Sequence, residues 1–465
     1  MSDNYKLVVI GAGPGGYVAA IRAAQLGVKT AIVEKEYMGG VCLNWGCIPS
    51  KTLLYVTELK RTIENAKRIG LTADNISIDL DKMRKHKDTT VKRLTGGVKL
   101  LLEKAGVTIL QGTASFKTKN EIIVDDGKNK TTINSDNFIV STGASPIELP
   151  MLKYDSSKII GAREAIEIPS VPKEMLVVGA GPIGVEMATV YQTLGSKVTI
   201  VEIFDNVLPT LDEEISKASE KALKKQGMKF LLSSKVVSSK INNDKVEVSI
   251  ETPDGKKDFT LDMVLVSAGM KPNSGNLGLD KIGLILDSHG FIETNNKMQS
   301  NISNIYAVGD VAGGILLAHK ASHEGIVAAE TVAGGAHQAD WKAVPYAVFT
   351  DPEIAGVGMS EKEAIKAGKK IKIGRFPYRA VGKAIATLAG EGFTKVISDA
   401  DTDEILGIHI FGPHAGDIIF TGTVLMEMDG TTEDLGQMMA VHPTLSEAMM
   451  EAAMDADKKA IHIPN

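Results

Sequence analysis

This sequence predicts an α/β fold built on two copies of one strand–turn–helix unit, with a separate α+β domain at its C-terminal end. Three observations lead there. Val8-Val-Ile-Gly11-Ala-Gly13-Pro-Gly-Gly16 recurs as Leu176-Val-Val-Gly179-Ala-Gly181-Pro-Ile-Gly184, and the match continues in register, with Leu26-Gly27 against Leu194-Gly195, Lys29 against Lys197 and Val33-Glu34 against Val201-Glu202. Each copy reads as an apolar strand, a glycine turn, a helix with Ala and Val on one face, a Gly stop, a second apolar strand and an acidic residue at its end. Beyond Trp341 the glycine fingerprints cease and strand patterns alternate with helical ones, so a further domain begins there.

The first elements of each copy carry the pattern of a Rossmann-like dinucleotide-binding domain. Gly11 and Gly179 permit the tight turn, Gly13 and Gly181 let a diphosphate approach the backbone, and Gly16 and Gly184 let the helix pack on the strand. The free N–H groups of the following helix then face the diphosphate. Glu34 and Glu202 end the second strand of their copies, where a carboxylate accepts hydrogen bonds from an adenosine ribose. Two dinucleotides are therefore implied. Glu202 is followed by Ile203 and Phe204 rather than by arginines, so a 2′-phosphate would meet a carboxylate, and the second site is expected to prefer NAD to NADP. The alternative, that one copy is a relic scaffold, sits poorly with two intact fingerprints.

The remaining elements are read more simply. Lys82 to Lys104 is charged and helical, with a solvated face. Glu121 to Val124, and Lys245 to Glu251 ahead of Pro253-Asp254-Gly255, suggest antiparallel excursions from the two nucleotide domains. Met438, Met439, Met449 and Met450 suit core or interface packing.

At 465 residues the chain is too long for one core, so two to four domains are expected, with interior enough to hold a large cofactor. A net charge of −5 and a pI near 6.1 argue against nucleic acid as a partner. Apolar runs such as Leu176 to Val178 and Ile315 to Ala318 are broken well before the length of a membrane span, so no membrane association is expected. The chain passes from Met1 through a few polar residues into a strand pattern, leaving no room for a targeting peptide; a cytoplasmic location is expected if Met1 is the native start.

There are 2 cysteines, Cys42 and Cys47, both within Gly39-Gly-Val-Cys-Leu-Asn-Trp-Gly-Cys-Ile-Pro-Ser-Lys51. Pro49 reads as a first-turn residue of an amphipathic helix from Ser50 to Arg68. Thiols at a helix N-terminus feel the positive end of the dipole, and two within reach of each other can cycle between dithiol and disulfide. A metal site would need further Cys or His ligands, and the nearest histidine, His86, lacks ligand spacing, so no metal is expected.

That segment resembles the redox-active segment of the dihydrolipoamide dehydrogenases, within the class I pyridine nucleotide-disulfide oxidoreductase family. Val140-Ser-Thr-Gly-Ala144, Ser267-Ala-Gly-Met-Lys-Pro-Asn273, Ile305-Tyr-Ala-Val-Gly-Asp310, Leu317-Ala-His-Lys-Ala321 and His442-Pro-Thr-Leu-Ser-Glu447 extend the likeness over nearly the whole chain. The resemblance implies an FAD domain at 1–145, an NAD domain at 146–271, a central domain at 272–340 completing the FAD site, and a dimerisation domain at 341–465. It further implies a homodimer whose active sites are each built from both chains. Cys47 would lie beside the flavin as the charge-transfer thiolate, and Cys42 would exchange with the substrate disulfide. His442 of the partner subunit would be the acid/base, oriented by Glu447. Lys51 and Glu186 match positions that pair near the flavin N5, Asp310 matches the ribityl contact, and Leu317, Ala318 and His319 match the other flavin edge. Ala114, Thr142 and Gly143 fall among the FAD positions and Gly269 among those for NAD.

The activity implied is oxidation of protein-bound dihydrolipoamide, with NAD reduced to NADH through a Cys42/Cys47 disulfide and FAD. The partner implied is a lipoyl-bearing protein of a 2-oxo acid dehydrogenase or glycine cleavage complex. Three positions depart from the family pattern and bear on the disulfide channel: Ala440 where a second histidine is usual, Val381 for Asn, and Val41 for Thr. Mercuric reductase and high-molecular-weight thioredoxin reductase would need C-terminal cysteines, absent from Ala460-Ile-His-Ile-Pro-Asn465. Glutathione reductase usually reads NADPH with arginines where Ile203 and Phe204 stand. An NADH oxidase, a transhydrogenase or a dinucleotide sensor would need no dithiol coupled to His442.

Overall fold

The computed structural model describes residues 4–464; Met1, and with it the expectation about a native start, lies outside them. The first sheet runs parallel through Thr108–Gln111, Thr30–Glu34, Asn4–Ile10 and the C-terminal half of Lys130–Val140. Ile305–Ala307 joins it as a further parallel strand, alongside Phe138 to Val140. A strand from far along the chain thus completes the first sheet. Its antiparallel arm, Thr113–Thr118, Glu121–Asp125 and the N-terminal half of Lys130–Val140, is the excursion expected at Glu121. The near-continuous apolar strands Leu7 to Ile10, Ala31 to Val33 and Phe138 to Val140 are buried on both faces, one packed by helices and the other by the antiparallel arm with Leu277 to Leu284.

The second sheet is parallel throughout, in the order Lys229–Leu231, Lys197–Val201, Glu174–Val178, Met263–Val266, Ile159–Ile160. Its excursion is the antiparallel meander Lys235–Asn242, Lys245–Thr252 and Gly255–Leu261. Beyond Trp341 a 5-stranded antiparallel sheet is ordered Tyr346–Val348, Glu353–Gly358, Ile405–Gly412, Phe393–Asp399, Ile371–Pro377, packed against the helices Ala415–Glu427 and Glu447–Ala456.

One expectation needs correcting. The helix after the cysteines spans Cys47–Asn65 and ends in the 3₁₀ turn Ala66–Ile69, rather than running from Ser50 to Arg68. Gly46 caps it and its carbonyl accepts from Ser50 N–H at 3.1 Å, so the first turn begins before Pro49 and encloses it, and proline is tolerated there because first-turn N–H groups have no helical partner. The helix Leu80–Lys104 has the solvated face expected of it; on its buried face, one turn from Met83, Lys87 is 2% exposed and bonds Glu167 at 2.8 Å and Asp88 at 2.9 Å. The methionines divide, Met449 being buried in the C-terminal core while Met439 is 98% exposed.

A buried ionic cluster joins the second sheet to the C-terminal one. Asp212, which caps the helix Glu213–Lys225, bonds Lys395 of strand Phe393–Asp399 at 3.0 Å, and Lys395 also reaches Glu361 at 2.7 Å. Lys395 and Asp212 are each 1% exposed. Opposite Lys395, His409 lies between Tyr346 Oη at 3.1 Å and the Met359 carbonyl at 2.9 Å; burial holds its pKa below the ordinary value. Among the described residues no helix is long and apolar enough to cross a membrane.

Candidate active site

The two fingerprints fold alike. The helices Pro14–Gln25 and Pro182–Thr193 start from Gly13 and Gly181, each with proline in the first turn. Gly11 (φ +101) and Gly179 (φ +105) sit where a side chain would strike the carbonyls of Ser141 and Ser267 at 2.3 and 2.5 Å. A Cβ at Gly16 or Gly184 would meet the carbonyl of its own first glycine at 1.9 or 2.1 Å. Gly181 has nothing within 4 Å of such a methyl, and Gly13 only Gly40 Cα at 4.0 Å. The open position in each loop is thus the one where a diphosphate must approach, and the residues fit the group. Gly184→Ala is expected to lower stability by about 2–4 kcal/mol, because backbone must move. Gly181→Ala should keep the wild-type melting temperature while weakening NAD binding at least tenfold. Thermal unfolding without cofactor, beside an NAD titration, checks both.

The acidic residues are more firmly placed than sequence suggests. Glu34 accepts from Ala12 N–H at 2.7 Å and Glu36 N–H at 2.8 Å, and Glu202 accepts from Ala180 N–H at 2.7 Å and Phe204 N–H at 3.0 Å. Each carboxylate is held at the mouth of its own glycine loop, with lone pairs left for ribose hydroxyls. Ile203 and Ser233 line a pocket beside Glu202, together with Lys235, whose ammonium bonds Glu251 at 2.9 Å. That lysine, unremarked in the sequence, already has its counter-charge.

The other FAD and NAD candidates gather around these loops. Thr142 Oγ1 donates to the Asn273 carbonyl at 2.8 Å, and the Gly143 carbonyl accepts from Asn273 N–H at 2.9 Å. Gly269 takes φ +114, and its carbonyl accepts from Ile147 N–H at 3.0 Å. Asp310 stands in the turn Gly309–Ala312, where burial raises its pKa against the pull of Lys320. Glu324 steadies that turn, accepting from Gly309 N–H at 2.6 Å and from Lys320 at 2.5 Å. Leu317 caps the helix Ala318–Val332, whose first N–H groups lack helical partners, and His319 Nε2 lies 2.7 Å from the Pro345 carbonyl. This helix is drawn close to Pro14–Gln25 through Gly325, at which a Cβ would meet the Gly15 carbonyl at 2.4 Å. The Ala114 side chain is buried in the core beside Val124, so only its backbone is free to meet a ligand.

The cysteines lie on different elements. Cys42 belongs to the short helix Gly40–Asn44, whereas Cys47 is the first residue of Cys47–Asn65, so only Cys47 feels the dipole of a long helix. Both are half-buried free thiols. The Cys42 thiol donates to Cys47, and chiefly for that reason Cys47 is brought down to about 7; burial opposes and Lys51 assists. Cys42 is pushed far up by that same hydrogen bond and by burial. One sulfur is poised as thiolate and the other as thiol.

Around the pair the loop is braced. Asn44 Nδ2 donates to the carbonyls of Met38 at 3.0 Å and Gly40 at 2.8 Å. Trp45 lies edge-on to Tyr37 and beneath Arg163, whose guanidinium carbon is 4.1 Å from the ring centre. Lys51 bonds both oxygens of Glu186, at 2.9 and 2.8 Å, and so links the long helix to the second fingerprint helix. Val41, 39% exposed, stands beside Cys42, while Val381 is buried.

His442 and Glu447 form a separate dyad, Nδ1 to Oε1 at 2.8 Å, with the other Glu447 oxygen accepting Thr444 N–H at 2.8 Å. Burial of Glu447 opposes its ionisation, but these hydrogen bonds prevail and keep its pKa below the usual carboxylate value. His442 is 76% exposed, and among the described residues no hydrogen bond ties the dyad to the dithiol of its own chain. Met439, Val441, Phe420 and Met428 form exposed apolar surface on the same C-terminal part.

Arg163, Lys235, Glu324 and Phe349 were not found by sequence reasoning, and no motif marks them, while Asn273 closes a quoted motif without having been given a role.

Residues 5–325 match the family described as pyridine nucleotide-disulphide oxidoreductase, and residues 344–453 match that family's dimerisation domain. The mitochondrial dihydrolipoyl dehydrogenase of Pisum sativum is 41% identical over 468 residues, covering 99% of this chain and 93% of that one. The dihydrolipoyl dehydrogenase of Thermus scotoductus is 43% identical over 469 residues, covering 99% of each. The crystal structure of LpdA from Mycobacterium tuberculosis superposes with a TM-score of 0.90 at 27% identity, over 96% of this chain and 99% of that one. Fold, fingerprints and full-length likeness converge, and the chain belongs to the pyridine nucleotide-disulphide oxidoreductase family, within its dihydrolipoyl dehydrogenase group.

Proposed function

We propose that this protein is an NAD-dependent dihydrolipoyl dehydrogenase, a homodimeric flavoprotein that oxidises a protein-borne dihydrolipoyl group. The lipoyl carrier belongs to a 2-oxo acid dehydrogenase or glycine cleavage complex, and the location is cytoplasmic. Residues 1–145 and 272–340 hold FAD, 146–271 bind NAD, and 341–465 form the dimer contact. The observation that carries the reading is the split dithiol, with Cys47 near neutrality as thiolate and Cys42 held as thiol.

Starting from the oxidised pair, one substrate thiol gives its proton to Nε2 of His442 of the partner subunit. Nδ1–H is committed to the Glu447 carboxylate, so Nε2 is the nitrogen with a free lone pair. The substrate thiolate attacks Cys42 Sγ, the Cys42–Cys47 bond breaks, and Cys47 leaves as the stabilised thiolate. The second substrate thiol gives its proton to the departing Cys42 sulfur as it attacks the first, closing the lipoyl disulfide and leaving Cys42 as thiol, Cys47 as thiolate and the first proton on the histidine. FAD, when bound, would carry the two electrons of the dithiol to NAD, regenerating the disulfide. Lys51 keeps a positive charge near Cys47, and Glu186 holds that lysine in place.

The test is NAD reduction with free dihydrolipoamide, run beside NADH- and NADPH-driven reduction of oxidised glutathione. Wild type should turn over dihydrolipoamide with NAD and show little glutathione activity. The double substitution Glu202→Ser with Ile203→Arg should move preference toward NADP by roughly two orders of magnitude, by removing a carboxylate and adding a phosphate partner. A wild type that prefers NADP or glutathione overturns the reading.

A further inference from the structure

Phe349 touches both halves of the Lys51–Glu186 pair, although it comes from neither dinucleotide-binding sheet. It follows the edge strand Tyr346–Val348 of the C-terminal sheet. Its N–H donates to Glu186 Oε1 at 3.0 Å, the same oxygen that accepts from Lys51 at 2.9 Å. Its ring faces the Lys51 ammonium at 4.5 Å from the centroid. Elsewhere the ring is backed by Gly416, at which a methyl would touch Cε1 and Cζ at 3.6 Å. Held at its backbone and packed behind, the ring is a fixed surface for the cation.

We propose that Phe349 is a positioning residue for the redox pair: its ring holds the Lys51 ammonium, and its N–H holds Glu186, so that the lysine charge stays directed at Cys47. The proposal rests on reading Cys47 as the flavin-facing thiolate. Lys51 has two competing anions, Cys47 and Glu186, and the ring favours the cation without neutralising it. The N–H satisfies a lone pair of Glu186 that would otherwise draw the ammonium away. Loss of the ring acts in one direction: an ammonium that withdraws onto Glu186 leaves Cys47 less stabilised. The titratable groups facing Cys47 are Cys42 of the short helix, Lys51 of its own helix and Glu186 of the second fingerprint helix. Tyr17 of the first fingerprint helix faces Cys42, and His442 of the partner subunit joins them in the proposed dimer.

The experiment uses FAD-loaded protein in a Cys42→Ser background, where Cys47 is the only thiol. Two readouts are followed against pH: the long-wavelength absorbance of thiolate against flavin, and the rate of Cys47 alkylation by iodoacetamide. Phe349→Leu should raise both midpoints by about half a pH unit, an approximately threefold lower thiolate-to-thiol ratio at a given pH. Phe349→Trp should restore the wild-type midpoint. Phe349→Met, unbranched and better able to fill the space the ring leaves, guards against a Leu variant that loses FAD, and FAD content and melting temperature are measured for each. Unmoved midpoints in both non-aromatic variants overturn the proposal. If the background protein shows no long-wavelength band at all, the flavin-facing reading of Cys47 fails instead, and the alkylation midpoints still decide the role of Phe349.

Discussion

Cys42→Ser and Cys47→Ser are each expected to lose dihydrolipoamide oxidation by at least about 10³-fold, because neither can form the disulfide that accepts the substrate's electrons. Their spectra should nonetheless differ. With Cys42 replaced, Cys47 cannot form a disulfide, and the serine hydroxyl can donate to it as the Cys42 thiol did while Lys51 still favours its thiolate, so the long-wavelength band should appear without reduction. With Cys47 replaced, the band should be absent in every state, since the sulfur that would face the flavin is gone and burial still disfavours the Cys42 thiolate. In reduced wild type the sign follows from the lowered Cys47 value: the band is present above about 7 and fades as pH falls through it. A Cys42→Ser protein without the band would reverse the assignment of the two sulfurs.

The second large effect is at His442. His442→Ala should reduce turnover by roughly 10²–10⁴-fold, the range for removing a general acid/base, while leaving FAD content and the band unaltered. Mixed dimers of His442→Ala and Cys42→Ser chains then locate the base. If each site joins one chain's dithiol to the other chain's histidine, one site of the mixed dimer has both groups intact and the other has both lesions. About half of wild-type activity per mixed dimer is expected, from two parents that are each nearly inactive. Mixed dimers as inactive as the parents would mean that the base acts within its own chain or that His442 is not the base. The exposure of His442 beside exposed Met439 and Val441, with no hydrogen bond to its own dithiol among the described residues, is the geometry that motivates the experiment.

How much of this was legible in the sequence depends on the range of the interaction. The fingerprints were, because each glycine answers a constraint set within its own loop, as at Gly11 and Gly16. The dithiol segment was legible as redox chemistry, but its geometry was misjudged. Pro49 marks the first turn without saying where that turn begins, so the helix was started too late and Cys42 was credited with a dipole it does not share. The burial of Lys87 was not legible for a related reason: its counter-charge at Glu167 is remote in sequence. Lys51 with Glu186, and His442 with Glu447, came only from resemblance, because nothing local ties those residues to the dithiol. Phe349, Arg163 and Glu324 contribute through a backbone N–H, a stacked ring or a turn brace, and such roles leave no compositional trace.

The Asp212–Lys395–Glu361 cluster also bears on how the molecule can move. Val348, Ile354 and Phe411 of the C-terminal part pack in one apolar core with Tyr191, Leu223 and Met228 of the second sheet's layer, so opening the junction would expose that core to water as well as part the buried ion pair. Salt that screens exposed pairs reaches such a site weakly. A hinge at this seam is therefore disfavoured throughout the catalytic cycle, and the nucleotide-binding half is rigidly married to the half that carries His442. Admission and release of a dinucleotide must rely on small local excursions, such as the exposed side chains of Ile203 and Phe204 swinging aside, rather than on one lobe swivelling against another.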